Sequence, residues 1–218
     1  MKNILKPLLL FTLTTGVFTS CVNEDDYKVA SFKPTVFKEV FDSNIVNDDE
    51  YLNYGNWTSF VEAGTKHWFE KETDGNGYLE FTGYDPVVAN REVSNIAWAI
   101  SPKINLDNSE NEVLTFQTST EYVTSAANKI EVFISSDFNG VDVLSATWTP
   151  IVANIANNNT NISNTDSNGN INIFSGEIDM SNITGDIYIA FKATGSGTNT
   201  NLDGSLRLDD IKIYNKNL

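Results

Sequence analysis

The chain has 218 residues, with 29 Asp and Glu against 14 Lys and Arg and a formal net charge of −15. Such an excess of negative charge argues against polyanionic partners, nucleic acid and anionic membrane surfaces alike. One cysteine and one histidine leave no ligand set of zinc spacing, and they place any Cys–His or Ser–His chemistry on a single imidazole.

Met1–Pro7 carries Lys2 and Lys6 and no acid, and Leu8–Phe18 is apolar with interspersed Thr. This is the charged and apolar pair of a signal peptide, too short for a permanent membrane span. Phe18-Thr19-Ser20-Cys21 follows, and it resembles the lipobox of bacterial lipoproteins, whose cysteine is acylated and becomes the first mature residue. The resemblance implies lipidation of Cys21, and two or more acyl chains hold a protein stably on a membrane. The other reading is a plain signal peptide that leaves a free thiol. Asn23-Glu24-Asp25-Asp26 resembles the signal that sends lipoproteins of the Bacteroidota to the outer leaflet of the outer membrane. As charge alone it is a solvated linker. The expected organisation is a signal peptide at 1–20, an acylated Cys and acidic tether at 21–34, and one domain at 35–218.

From Thr35 onward the pattern is β. Thr35–Phe41 predicts a strand with Phe37, Glu39 and Phe41 on one face, and Asp42–Tyr54 an acidic loop. Trp57–Val61 and Lys66–Glu70 predict short strands, and Tyr78–Tyr84 a third after the turn Asp74-Gly75-Asn76-Gly77. Asn95–Ile100 places Trp98 beside Ile96 and Ile100 on a core face and stops at Ser101-Pro102. Period-2 alternation marks Glu112–Thr118, Lys129–Ser135 and Asp186–Ala193, with weaker signals at Ala146–Trp148 and Phe174–Met180. The segment 154–172 is rich in Asn and predicts a mobile excursion, with an irregular strand pair as the alternative. Short strands between Gly, Asn, Asp and Ser turns, with no long amphipathic helix, predict an antiparallel β-sandwich.

The last strand, Ser205–Tyr214, switches parity. Leu206 and Leu208 are even and Ile211 and Ile213 odd, so a β-bulge at Asp209-Asp210 is needed to keep all four on one face. Glu39 and Asp209 share parity with apolar neighbours, and buried carboxylates need a partner. If the first and last strands are neighbours, Glu39 and Asp209 can share a calcium ion, with Asp42, Asp210 or backbone carbonyls completing its oxygen shell. Equally, these acids can sit at strand ends in water or pair with Arg207 or Lys38.

Several segments occur together in a family order: Trp98–Leu106, Leu114-Thr-Phe116, Ile130–Asp137, Trp148, Ile189–Lys192 and Leu208–Ile213. The set resembles the choice-of-anchor J and cleaved-adhesin domains and the DUF5017-type lipoproteins of the Bacteroidota, from about Phe37 to Tyr214. The resemblance implies a jelly-roll sandwich like those of carbohydrate-binding modules, often with structural calcium near the first and last strands, where Glu39 and Asp209 match the acidic positions.

His67 within an aromatic segment reads as a packed or surface residue, and abundant acids leave a two-carboxylate glycosidase open without singling out a pair. Glu72–Gly77 partly matches a calcium loop, but Gly83 stands where the twelfth-position acid belongs, so it reads as a hairpin. Tyr51, Tyr54 and Trp57 cluster around a polar loop with Asn53 and Asn56 and are the candidate sugar platform. The expectation is a surface-exposed outer-membrane lipoprotein, not an enzyme, whose jelly-roll domain binds a glycan or a surface protein. A glycosidase-like enzyme and a structural part of a surface assembly are the alternatives.

Overall fold

In the computed structural model, residues 34–42, 50–53, 55–160 and 173–216 are described. Cys21, the tether and Tyr54 lie outside these residues, as does 161–172 of the Asn-rich segment.

Among the described residues, fourteen strands form two antiparallel sheets. Sheet A contains β1 (Thr35–Glu39), β2 (Glu50–Tyr51), β4 (Phe69–Thr73), β5 (Asn76–Thr82), β8 (Glu112–Glu121), β11 (Ile173–Phe174), β12 (Ile178–Asp179) and β14 (Ser205–Asn215). Its main order is β11-β8-β14-β5-β4-β2, with β1 beside β14 and β12 beside β8. Sheet B contains β3 (Thr58–Ala63), β6 (Asn95–Ile100), β7 (Ile104–Asn105), β9 (Lys129–Ser135), β10 (Thr149–Ile151) and β13 (Asp186–Gly195). Its order is β10-β9-β13-β6-β3, with β7 beside β13. Two short 3₁₀ turns, Val88–Asn90 and Val143–Ser145, are the helical elements among the described residues, where no helix is long and apolar enough to cross a membrane. The fold is the expected all-β, jelly-roll-like antiparallel sandwich.

Alternation explains the packing. Leu79, Phe81, Leu114, Phe116, Ile187, Ile189, Phe191, Leu206 and Leu208 are all at 1% exposure or less and fill the space between the sheets. Fully burying side chains of this size contributes about 1.5–3 kcal/mol each before the entropy of ordering them is counted. A second cluster lies on the outer face of sheet B. There Trp98, Ile100 and Ala190 are covered by Phe138 and Val143 from the loop after β9, with Trp148, Phe133 and Tyr188 around them. Trp98 is therefore buried as expected but on the opposite face: Ala97 and Ala99 point into the main core.

The turn Asp74-Gly75 closes the β4–β5 hairpin, with Thr73 opposite Asn76. Both turn residues have positive φ, at 54° and 86°, as a two-residue hairpin of the favoured hand requires. Ser101 ends β6 by taking over a ladder position: its Oγ accepts the Ile189 N–H at 3.0 Å and its own N–H donates to the Ile189 carbonyl at 2.8 Å.

Three expected strands are displaced. Lys66–Glu70 becomes β4 at Phe69–Thr73, Ala146–Trp148 becomes β10 at Thr149–Ile151, and Phe174–Met180 splits into β11 and β12. The start of the Asn-rich segment is pinned. The Asn154 N–H donates to Ser175 O at 3.0 Å and the Ala156 N–H to Thr118 Oγ1 at 2.9 Å, so this part runs along β8 and β11 and is not an excursion.

Candidate functional site

The outer face of sheet A carries two concavities. The first is a cleft of about 390 Å³ between the start of β4 and the loop that follows β5. Tyr51 forms one lip and is 54% exposed. Its ring stands 4.3 Å from the His67 ring and 5.1 Å from that of Phe69, centroid to centroid, so two aromatic neighbours back it and hold its orientation. The other walls are polar: Lys66, Asp85, Asn90 and Glu92. Lys66 Nζ lies 2.7 Å from Asp85 Oδ2. That ammonium, with the Val87 N–H donating to Asp85 Oδ1 at 2.8 Å, holds the Asp85 carboxyl below the usual carboxylate range. The Arg91 guanidinium turns away and lies 5.3 Å over the Tyr84 ring, while its Nε donates to the Asp85 carbonyl.

Burial lowers the His67 pKa, and its Nδ1 is buried with no hydrogen-bond partner among the described residues. Burial thus favours the neutral imidazole, and among the described residues no acidic group orients its Nδ1 as a triad requires. Asp85, held ionised, is a poor general acid. The cleft combines an exposed aromatic face with amide, ammonium and carboxylate groups, the chemistry that grips a polyhydroxylated ring.

The other expected platform residue behaves differently. Trp57 is 6% exposed; its ring packs 5.5 Å from that of Phe41 and 6.5 Å from that of Phe37, and its Nε1 donates to Glu39 Oε2 at 3.4 Å. Its face belongs to the core and is not offered to a ligand, which corrects that expectation. Tyr54 lies outside the described residues.

The second concavity is at the bulge. Asp209 pairs with Gln117 and Lys212 with Thr115, so an extra residue is accommodated between them, and Asp210 takes φ +52°. Asp is among the residues that tolerate this left-handed conformation best. As a result Leu206, Leu208, Ile211 and Ile213 all reach the core at 1% exposure or less. The bulge also divides the partners of β14: β5 pairs with Ser205–Leu208, and β1 with Ile211–Tyr214.

Glu39 sits opposite Ile211, as neighbouring first and last strands require. Its Oε1 accepts the N–H groups of Val40 and Phe41 at 3.0 and 2.9 Å, capping the sharp exit from β1, where Phe41 has φ +52°. Asp42 Oδ1 accepts the Gly77 N–H at 2.9 Å. A Cβ on Gly77 would fall 2.2 Å from the Phe41 carbonyl oxygen, so only glycine permits this approach. Asp210 accepts from Gln117 Nε2 at 3.0 Å and pairs with Lys212 at 2.5 Å. Asp209 Oδ2 accepts from Asn76 Nδ2 at 3.2 Å and Oδ1 from the Asp210 N–H at 2.6 Å. Burial, with the charges of Asp210 and Asp42 adding to it, pushes the Asp209 carboxyl up to about 6.

The expected calcium shell of Glu39, Asp42, Asp209 and Asp210 is not assembled by this geometry. Each carboxylate is turned to an N–H or ammonium donor, and among the described residues no group of three or more His, Cys, Asp or Glu is placed to hold a metal ion.

Beside the bulge, a shallow recess is lined by Asn76, Tyr78, Gln117, Ser119, Arg207 and Asp209. Arg207 is its fixed centre. Nε donates to Glu80 Oε2 at 2.7 Å, Nη2 donates to Glu121 Oε2, and the guanidinium carbon lies 5.4 Å over the Tyr78 ring. None of the neutral recess residues stood out in the sequence. A strand's alternation indicates that Tyr78 and Gln117 face outward, but only the register brings them together.

A search of curated proteins finds no match. The K3 cleaved adhesin domain of Lys-gingipain from Porphyromonas gingivalis is similar in structure at a TM-score of 0.54 and 15% identity, covering 83% of this chain and 98% of that one. The K1 cleaved adhesin domain of the same protein follows at 0.49 and 16% identity, with 84% and 99% covered. The CBM22-1 xylan-binding domain of Paenibacillus barcinonensis Xyn10C is similar at 0.43 and 13% identity, with 84% and 94% covered. The model of DUF5017, a domain of unknown function, matches residues 101–217. With more than half of its length inside that match, the chain belongs to the DUF5017 family.

Proposed function

We propose that this is a non-catalytic, glycan-binding lipoprotein of the bacterial cell surface, which captures its ligand in the Tyr51 cleft. The observation that carries the reading is the exposed Tyr51 ring, backed by His67 and Phe69 and faced by Lys66, Asp85, Asn90 and Glu92. A rigid aromatic face beside a few fixed polar groups suits a sugar ring, whose apolar face stacks while its hydroxyls find donors and acceptors. The likeness in fold to an adhesin domain supports adhesion rather than catalysis. The test is retention on a glycan array or in polysaccharide gels. Native protein is expected to be retained and Tyr51→Ala is expected to lose retention at an unchanged fold. A native protein that ignores glycans and instead pulls down a surface protein overturns the sugar reading in favour of a protein adhesin.

A second reading rests on Asp209. Asp209 lines the recess beside Tyr78 and Arg207, and a carboxyl there that burial pushes up to about 6 has the protonation behaviour of a glycosidase general acid. Hydrolysis of a glycan by native protein, abolished by Asp209→Asn, would establish it.

Anchoring through acylated Cys21 and display on the outer membrane are part of the same proposal, supported by the charged and apolar leader and by the acidic run at Asn23–Asp26. Cys21→Ala is expected to move the protein from the membrane to the soluble fraction. A variant that remains with the membrane would remove the lipid anchor from the proposal.

A further inference from the structure

The cleft and the recess lie on the same face of the same sheet, and the strand register connects them. Tyr51 pairs with Phe69, Phe69 with Glu80, Glu80 with Arg207, and Arg207 with Ser119. Directly opposed residues in an antiparallel ladder project to the same face. These five side chains therefore form one row that crosses β2, β4, β5, β14 and β8. Four inter-strand spacings make the row about 19 Å long. Tyr51 stands at one end. Toward the other end, Tyr78 and Gln117 flank the row from the next register position, with Asp209 opposite Gln117.

We infer that the Tyr51 cleft and the Tyr78 recess are two subsites of one track, which takes a single neutral, hydroxyl-rich chain laid across the strands of sheet A. The inference rests on the glycan-binding reading and names its ligand class: an extended oligosaccharide, not a terminal sugar. Length follows from the spacing, because a chain seated at only one end leaves the other aromatic ring unused. Neutrality follows from charge. The cations along the track are engaged, Lys66 with Asp85 and Arg207 with both Glu80 and Glu121, and Lys71, opposite Tyr78, is not free either, while Asp209 adds a further negative charge. An anionic chain would meet no available cation in either concavity and would be repelled by a protein of net charge −15. Asn90 at one end and Asn76, Gln117 and Ser119 at the other supply uncharged donors and acceptors. The middle of the row is rigid, since Arg207 bridges β14 to β5 through Glu80 and to β8 through Glu121.

The experiment is an affinity series on the full protein with cello-, xylo- and galacto-oligosaccharides from disaccharide to hexasaccharide, and with oligogalacturonates as the anionic arm. Affinity is expected to rise with chain length. Tyr78→Ala should weaken hexasaccharide binding about tenfold, the loss of one substantial contact, while leaving disaccharide binding within about twofold. Gln117→Ala, a smaller change at the same end, should act in the same direction, and a thermal melt of each variant reads its fold. Affinity that is flat with length, with Tyr51→Ala abolishing binding and both recess variants neutral, overturns the track while leaving the Tyr51 site standing. Tighter binding of oligogalacturonates than of neutral chains overturns the ligand class. Failure of native protein to bind any of these oligosaccharides, where Tyr51→Ala has nothing to abolish, overturns the glycan reading and the track with it.

Discussion

The two outer faces of the sandwich start from the same alternation and end differently. On sheet B, the outward residues Trp98, Ile100 and Ala190 are apolar, and the loop after β9 folds back to cover them with Phe138 and Val143. Glu62 ties down the indole, accepting from Trp98 Nε1 at 2.7 Å, and Lys192 lies 4.8 Å above the ring. On sheet A, the outward row is Phe69, Glu80, Arg207 and Ser119, in which Arg207 ties β14 to Glu80 and to Glu121 on the neighbouring strands, with Tyr51 more than half exposed at its end. An apolar outer face gains most by acquiring a lid and becomes a second core. A polar face whose charges are already paired gains little from a cover, and its Tyr51 end stands open. The comparison separates aromatic residues that hold the fold from those available for recognition.

The largest effect should come from breaking the covered face. Trp98→Ala removes the centre of the second cluster and is expected to cost about 3–5 kcal/mol, as large-to-small changes at buried aromatics do. Urea denaturation measures the loss. Tyr51→Ala on the open face should shift stability by no more than about 0.5 kcal/mol, as exposed substitutions do, while removing ligand retention. If the two variants destabilise equally, the faces are not the functional opposites proposed.

Much of this division was legible in parts of the sequence. The alternation of Lys129–Ser135 and Asn95–Ile100 matches β9 and β6 residue for residue, and the parity switch between Leu208 and Ile211 required the bulge that Asp210 forms. Alternation does not, however, say which of its two faces is the core. Trp98 is buried as its neighbours Ile96 and Ile100 predict, but in the second cluster outside sheet B, and Trp148, expected in a strand, packs against that cluster instead. Trp57, judged by its polar neighbours, proved to be core because the exit from β1 brings Phe41 against it. Two-residue strands such as β2 and β7 are too short to carry a pattern. Tyr51 was visible as an aromatic in a polar loop. Lys66, Asp85, Asn90 and Glu92 were not, because a loop without periodicity brings them to it, and the recess depends on register between strands more than a hundred residues apart.

A smaller effect should come from Asp209, where the open face meets the bulge. Its folded pKa is raised from 3.8 to about 6, so between those values the folded protein binds more protons than the unfolded chain. The stability contributed by this group is complete below pH 4 and lost as pH rises through 6. Asp209→Asn imitates the protonated carboxyl and keeps an acceptor for Asn76. It should raise the melting temperature at pH 7 by about 2–4 °C, with the difference from native vanishing near pH 4. A variant less stable than native at pH 7 would mean that the carboxylate is held by a cation instead. The chelator experiment is the sharpest check on that point, and its expected effect is the smallest. Asp42, Asp209, Asp210 and Glu39 already accept from Gly77, Asn76, Gln117 and the β1 exit, so EDTA should leave the native melt unchanged. A fall in melting temperature with EDTA, restored by calcium and absent in Glu39→Ala, would show that these donors give way to a shared ion, and the open face would then owe part of its order to a metal.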